Sequence, residues 1–134
     1  MAWMFRLSLL VFLACVTARE FRTDRAGNEY IRCMSYDNAS STNPRLIRCF
    51  KIKTKYPSCF FEISFPKSKF KQYCAEDKGG CEEECNLKFD DGNRGKCCCY
   101  SDRCNDNISN IIEKFSEKHG NDTSNYHDPL LKKY

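Results

Sequence analysis

Apolar and polar side chains begin to alternate at Glu29 and continue to do so in short runs as far as Tyr100. Glu29 to Tyr36 (Glu-Tyr-Ile-Arg-Cys-Met-Ser-Tyr) carries the period of two that marks a strand. Asp37 to Pro44 is a polar loop. Arg45 to Lys53 predicts a second strand, with Leu46, Phe50 and Ile52 on one face, and completes a first hairpin. Tyr56-Pro57 predicts a break. Ser58 to Phe65 alternates again, with Phe61, Ile63 and Phe65 to one side. Pro66 to Lys69 reads as a turn, and Phe70 to Cys74 as the return strand of a second hairpin with a basic tip. Asp77-Lys78-Gly79-Gly80 is a loop. Asn86 to Phe89 and Lys96 to Tyr100 flank Asp90-Asp91-Gly92-Asn93-Arg94-Gly95, a strong turn sequence, and form a third hairpin. Short strands separated by turns predict an all-β domain over 29–105.

The period changes after Asn105. Ile108, Ile111, Ile112 and Phe115 fall at i, i+3, i+4 and i+7, the spacing of one helix face, and Asp106 or Asn107 is placed to cap it. A helix this short is marginal alone, so it is expected to pack on the domain or fray, the alternative being a docking helix for a partner. Residues 106–134 thus read as a C-terminal tail with a short helix, polar from Gly120 onward. Residues 19–28 have no apolar period and read as a flexible lead.

The first 18 residues follow a different rule. Arg6 supplies a basic start, Leu7 to Val16 is apolar apart from Ser8, and Val16-Thr17-Ala18 ends in small residues. This is the pattern of a signal peptide cleaved after Ala18, and the run is too short to cross a bilayer. The expected location is therefore extracellular, by secretion. The end at Lys132-Lys133-Tyr134 has only Leu130-Leu131 as an apolar pair, so no glycolipid anchor is predicted.

Cleavage removes Cys15 and leaves an even number of the 11 cysteines: Cys33, Cys49, Cys59, Cys74, Cys81, Cys85, Cys97, Cys98, Cys99 and Cys104. Exported thiols oxidise in pairs, so this is expected to be a disulfide framework and not a zinc site. A domain so small buries a thin core, which bridges reinforce and which Phe and Tyr are expected to fill. Adjacent Cys97, Cys98 and Cys99 must reach three different partners, so several backbone segments converge there, as in the base of a cystine knot. Spacing alone leaves the pairing open.

The stretch Cys98-Cys99-Tyr100-Ser101-Asp102-Arg103-Cys104-Asn105 resembles the closing signature of the three-finger superfamily, which includes snake neurotoxins and the lymphocyte-antigen-six/urokinase-receptor domains. The nematode ET-module branch is the more similar, since it too ends in a cysteine cluster before Cys-Asn. The chain departs from receptor-type members in having no Cys-x-x-Cys at Cys33. The resemblance implies a small all-β disulfide-rich domain, with three-finger-like hairpins radiating from a cystine knot-like base. It implies bridges Cys33–Cys59, Cys49–Cys74 and Cys99–Cys104, with one of Cys81 or Cys85 bonded to Cys98 and the other to Cys97. It also implies that the Asn105 amide bonds backbone groups at the base of the fingers. The fold does not name a ligand.

Catalysis is not expected. His119 and His127 both lie in the tail, and the phospholipase A pattern Cys-Cys-x-x-His-Asp fails because Ser101 and Asp102 follow Tyr100. Glu82-Glu83-Glu84 with Asp90 and Asp91 fits no calcium loop, and no cofactor is expected. Charge is polarised along the chain. From Arg45 to Lys71 there are eight basic residues and one acid, and from Cys74 to Gly92 seven acids and two lysines. Lys67, Lys69 and Lys71 around Phe70 form the candidate binding residues, able to steer an anionic partner, either an extracellular protein or an anionic glycan. Nucleic acid is excluded by the compartment. The alternative role is that of a toxin-like blocker or hydrolase inhibitor. Sequons at Asn38, Asn107 and Asn121 predict glycosylation, with Asn107 crowded by the cysteine cluster.

Overall fold

A computed structural model describes residues 20–40, 42–64, 69–91 and 93–119, with side chains as far as Glu117. The segment 1–18 read as a signal peptide, Phe65, Lys67, Asn121 and His127 lie outside the described residues. Seven strands and one helix are present among them: β1 (Arg22–Thr23), β2 (Glu29–Asp37), β3 (Arg45–Phe50), β4 (Tyr56–Ser64), β5 (Lys69–Asp77), β6 (Lys88–Phe89), β7 (Arg94–Cys99) and α1 (Ile108–His119). All the strand pairs are antiparallel.

Each alternating run becomes a hairpin. β2 pairs with β3, β4 with β5, and β6 with β7. The second and third hairpins join because β7 pairs along β4, setting Phe61 opposite Cys97 and Glu62 opposite Lys96. β4 therefore lies between β5 and β7. The upper end of β2 touches β5 through Tyr36–Gln72 and Asp37–Lys71. Tyr56-Pro57 does not break the chain. Proline is tolerated at the start of a strand, and both residues open β4 with Pro57 fully buried.

One face of this sheet makes the core. Cys59, Phe61 and Ile63 of β4, Phe70 of β5, and Cys97 and Cys99 of β7 are all buried. Gly95 sits where a Cβ would lie 2.8 Å from the Phe89 ring and 3.0 Å from Ile63, so only glycine admits this close approach. Leu46, Phe50 and Ile52 share a face, but it points to solvent. They are the exposed large hydrophobics, at 40%, 38% and 49%, while Cys49 takes the inner side. The helical stripe is as its spacing predicts. Ile111 is buried and Ile108, Ile112 and Phe115 pack against the core, with the Phe115 ring 4.8 Å from Phe89. Asn107 caps the helix, its Oδ1 accepting the Asn110 N–H at 3.0 Å.

Five cysteine pairs lie at disulfide distance: Cys33–Cys59, Cys49–Cys74, Cys81–Cys98, Cys85–Cys97 and Cys99–Cys104. Strand geometry explains the choice between Cys81 and Cys85. Neighbours on a strand face opposite sides, so Cys97 turns inward to buried Cys85 and Cys98 turns outward to Cys81. The molecule is thus a mostly antiparallel β, disulfide-rich domain with one short helix.

Loop 100–105 closes the base. Arg103 has a left-handed φ of 61°, which folds the loop back along β2. Arg103 N–H donates to the Arg32 carbonyl at 2.7 Å, and the Asp102 carboxylate accepts the Arg32 N–H at 2.7 Å. The Asn105 side chain is fully buried and fully bonded. Its Oδ1 accepts Met34 N–H at 2.8 Å, and its Nδ2 donates to the carbonyls of Met34 at 3.1 Å and Phe60 at 2.9 Å. One amide therefore ties β2 to β4.

The same loop makes stability depend on acid. Burial alone would raise the Asp102 pKa, but hydrogen bonds from the Arg32 side chain and backbone, and from Arg22, outweigh it and hold it at about 2. The Tyr100 hydroxyl and backbone N–H groups of the 79–81 turn lower Asp77, and Tyr73 and Lys96 lower Glu62 despite partial burial. A carboxyl depressed by folding stabilises the fold above its unfolded value near 4, and this stabilisation is lost as pH falls toward the folded value. Stability should therefore be nearly flat from about pH 7 to 5 and fall between about pH 4 and 2. Urea melts of Asp102→Asn should show a shallower fall, by about 1–2 kcal/mol for this partly solvated group. An unchanged acid limb in that variant would remove Asp102 as the cause.

Candidate functional site

The outward face of the central sheet gathers charge from three strands. Cross-strand partners share a face, and the register sets Lys69 opposite Ser64, Lys71 opposite Glu62, Lys96 opposite Glu62 from the other side, Arg94 opposite Ser64, and Lys88 opposite Lys96. Five cations thus flank one central acid, and all five are exposed. They border an open concavity of about 850 Å³, lined among others by Glu62, Lys69, Lys71, Arg94 and Lys96. The same sheet face continues toward the base as a stacked pair, Phe60 on Tyr73, with ring centroids 5.1 Å apart and 9° between planes. Lys96 Nζ lies 5.3 Å above the Phe60 ring.

Acids of the chain hold four of these cations in place. Lys96 pairs with Glu62 at 3.1 Å, Lys88 with Glu82 at 2.9 Å, Arg94 with Asp90 at 3.2 Å and Lys71 with Asp37 at 3.7 Å. Lys69 makes no salt bridge among the described residues. Glu62 also accepts the Tyr73 hydroxyl at 2.5 Å, and burial followed by this bond pushes the phenol far above its ordinary range. Such exposed pairs contribute little to stability. Their effect is to space the positive groups over the face.

Of the residues that the sequence marks for binding, Lys69 and Lys71 stand on this face and Lys67 lies outside the described residues. Phe70 is removed from the contact set. At 4% exposure it packs in the core, its ring 5.4 Å from Tyr36 and 6.2 Å from Phe61, because a residue between two outward lysines must point inward. The local pattern missed Lys88, Arg94 and Lys96, which reach the face only because β7 pairs with β4.

The Glu82–Glu84 run does not converge. Glu82 turns to Lys88, while Glu84 turns to Lys114 of α1 at 2.7 Å. Among the described residues, no three His, Cys, Asp or Glu side chains are grouped to hold a metal ion. Asn38 follows β2 half-buried, its Oδ1 accepting the Phe70 N–H at 2.8 Å, and Asn107 is exposed at the helix start. No family model matches the chain, and no curated protein or solved structure matches it either.

Proposed function

We propose that this protein is a secreted, non-enzymatic binding module of three-finger-like build, whose outward sheet face docks an acidic surface of an extracellular protein. The observation that carries the reading is the convergence of Lys69, Lys71, Lys88, Arg94 and Lys96 on one face. Complementary charge of this kind speeds encounter and fixes orientation. Glu62 at the centre and Asp37, Glu82 and Asp90 at the rim interrupt the positive field. That mixed pattern suits a protein surface with its own mixed charges better than the continuous anionic track of a sulfated glycan.

The three-finger build is supported by the agreement between the five cysteine pairs and the order that the resemblance implies, and by the Asn105 bonds to Met34 and Phe60. The disulfides are compatible with an extracellular location. So is the finding that no helix among the described residues is long and apolar enough to cross a membrane.

Affinity capture tests this reading. Wild-type protein and a Lys69→Ala/Lys71→Ala/Lys96→Ala variant serve as parallel baits on extracellular fluid and cell surfaces. A protein retained by wild type and depleted at least severalfold on the variant is the expected result. Capture that glycan-degrading enzymes abolish, or that the variant leaves unchanged, would overturn it. The variant should fold, since exposed lysines contribute little to stability.

A further inference from the structure

The first hairpin carries a second surface, independent of the basic face, that begins with the backbone of β3. In an antiparallel pair, alternate residues bond across and the others aim their N–H and C=O groups away. Lys51 N–H donates to the Glu29 carbonyl at 2.9 Å, so the bonded positions on β3 are Cys49, Ile47 and Arg45. The N–H and C=O groups of Leu46, Arg48 and Phe50 therefore face outward. The partner strand confirms the phase. On β2, Arg32 and Met34 turn their N–H groups the other way, to Asp102 and Asn105. β3 pairs only with β2, so its outer edge is an open row of donors and acceptors among the described residues.

The side chains of the same residues are also presented. Leu46 and Phe50 are exposed, and Ile52 continues the line. Between them the Arg48 guanidinium carbon lies 5.0 Å from the centre of the Tyr30 ring, and its side chain makes no hydrogen bond among the described residues. No acid occurs between Pro44 and Phe61, so the strand's own charges are all positive; Glu29 pairs with Lys51 at 3.2 Å at one end, and Asp24 lies within electrostatic reach of Arg48. Edge strands are commonly blunted by a proline, a bulge, a cover or charged side chains, and the charges here, Arg45 and Arg48, repel only a basic strand. β3 has no proline.

We infer that β3 is a docking edge for an extended segment of a partner protein, which adds as a further strand and alternates apolar side chains with acidic ones. Main-chain bonds to Leu46, Arg48 and Phe50 would supply the alignment. Apolar side chains would meet Leu46 and Phe50, and a carboxylate would meet the Arg48 fork. A second copy of this chain is a poor occupant. Self-pairing about Arg48, the register that sets Leu46 against Phe50, also sets Arg48 against Arg48 and Arg45 against Lys51, and like charges directly opposite are destabilising.

Random short peptides displayed on phage and selected on the full secreted protein test the inference. Enriched peptides should alternate apolar and acidic residues, and their binding should slow amide exchange at Leu46, Arg48 and Phe50. Phe50→Asp and Arg48→Glu should each weaken binding at least about tenfold. A peptide with lysine in place of the acid should recover binding to Arg48→Glu. The Lys69→Ala/Lys71→Ala/Lys96→Ala variant should bind these peptides as wild type does, which keeps this edge separate from the basic face. The inference is overturned if nothing is enriched, if enriched peptides lack the alternation, or if Phe50→Asp binds them unchanged. It is overturned equally if wild type dimerises and Phe50→Asp does not, since the edge then belongs to a second copy. Both substitutions are at exposed positions, and an unchanged disulfide map and urea midpoint would establish that the variants fold.

Discussion

Asn105→Ala should abolish the yield of folded protein or lower its stability by about 3–6 kcal/mol. The alanine leaves Met34 N–H and Met34 C=O without partners and removes the second donor to the Phe60 carbonyl, in a site closed to water. Each unpaired buried group costs about 1–3 kcal/mol, and the missing side chain adds a cavity. Asn105→Asp separates the two contributions. It keeps the volume and the acceptor for Met34 N–H, but turns a carboxylate oxygen toward two carbonyls. It should be about as damaging as alanine, because the loss lies in the donors and not in the shape. Urea melts with intact disulfides and secreted yield provide the readout. An aspartate variant of near-wild-type stability would show that the amide donors are dispensable.

The bridge between Cys33 and Cys59 should be the next most costly to remove. It spans 26 residues and joins the first two hairpins, and both sulfurs are fully buried. Chain-entropy reasoning gives about 3–4 kcal/mol for a loop of this length, with a further loss from packing. Replacing Cys85 and Cys97 together should cost about 3 kcal/mol and leave a folded domain, since Cys81–Cys98 still closes the same hairpin. Secreted yields of the two double-alanine variants check the order. The account fails on this point if loss of Cys85–Cys97 is the more damaging.

Local features were legible wherever a single element decides them. The alternation of Phe61 and Ile63 marked the buried face of β4, and the stripe Ile108, Ile111, Ile112 and Phe115 marked the packed face of α1. The role of Asn105 was also legible, but through its cysteine context and not through period. Contacts between elements far apart in the chain were hidden. Asp102 meets Arg32 across 70 residues, and nothing in either neighbourhood announces the other. Lys96 joins Lys71 around Glu62 only once β7 lies along β4. Alternation gave Leu46, Phe50 and Ile52 a common face but not its direction. The disulfides draw the inner side of β3 to Cys49, and the apolar row is left outside. Cys97 and Cys98 must point apart on any strand, yet the sequence does not say which loop lies on which side.

Once a partner has been captured, its association rate measured at low and high salt bears most directly on the proposed role. Exposed charges are screened beyond about 8–10 Å at physiological ionic strength, so steering through the basic face should fade as salt rises. Wild type should associate roughly tenfold or more faster than Lys69→Ala/Lys71→Ala/Lys96→Ala at low salt, the two rates should converge at high salt, and dissociation should differ much less. Equal association rates at low salt for the wild type and the triple variant would contradict the account.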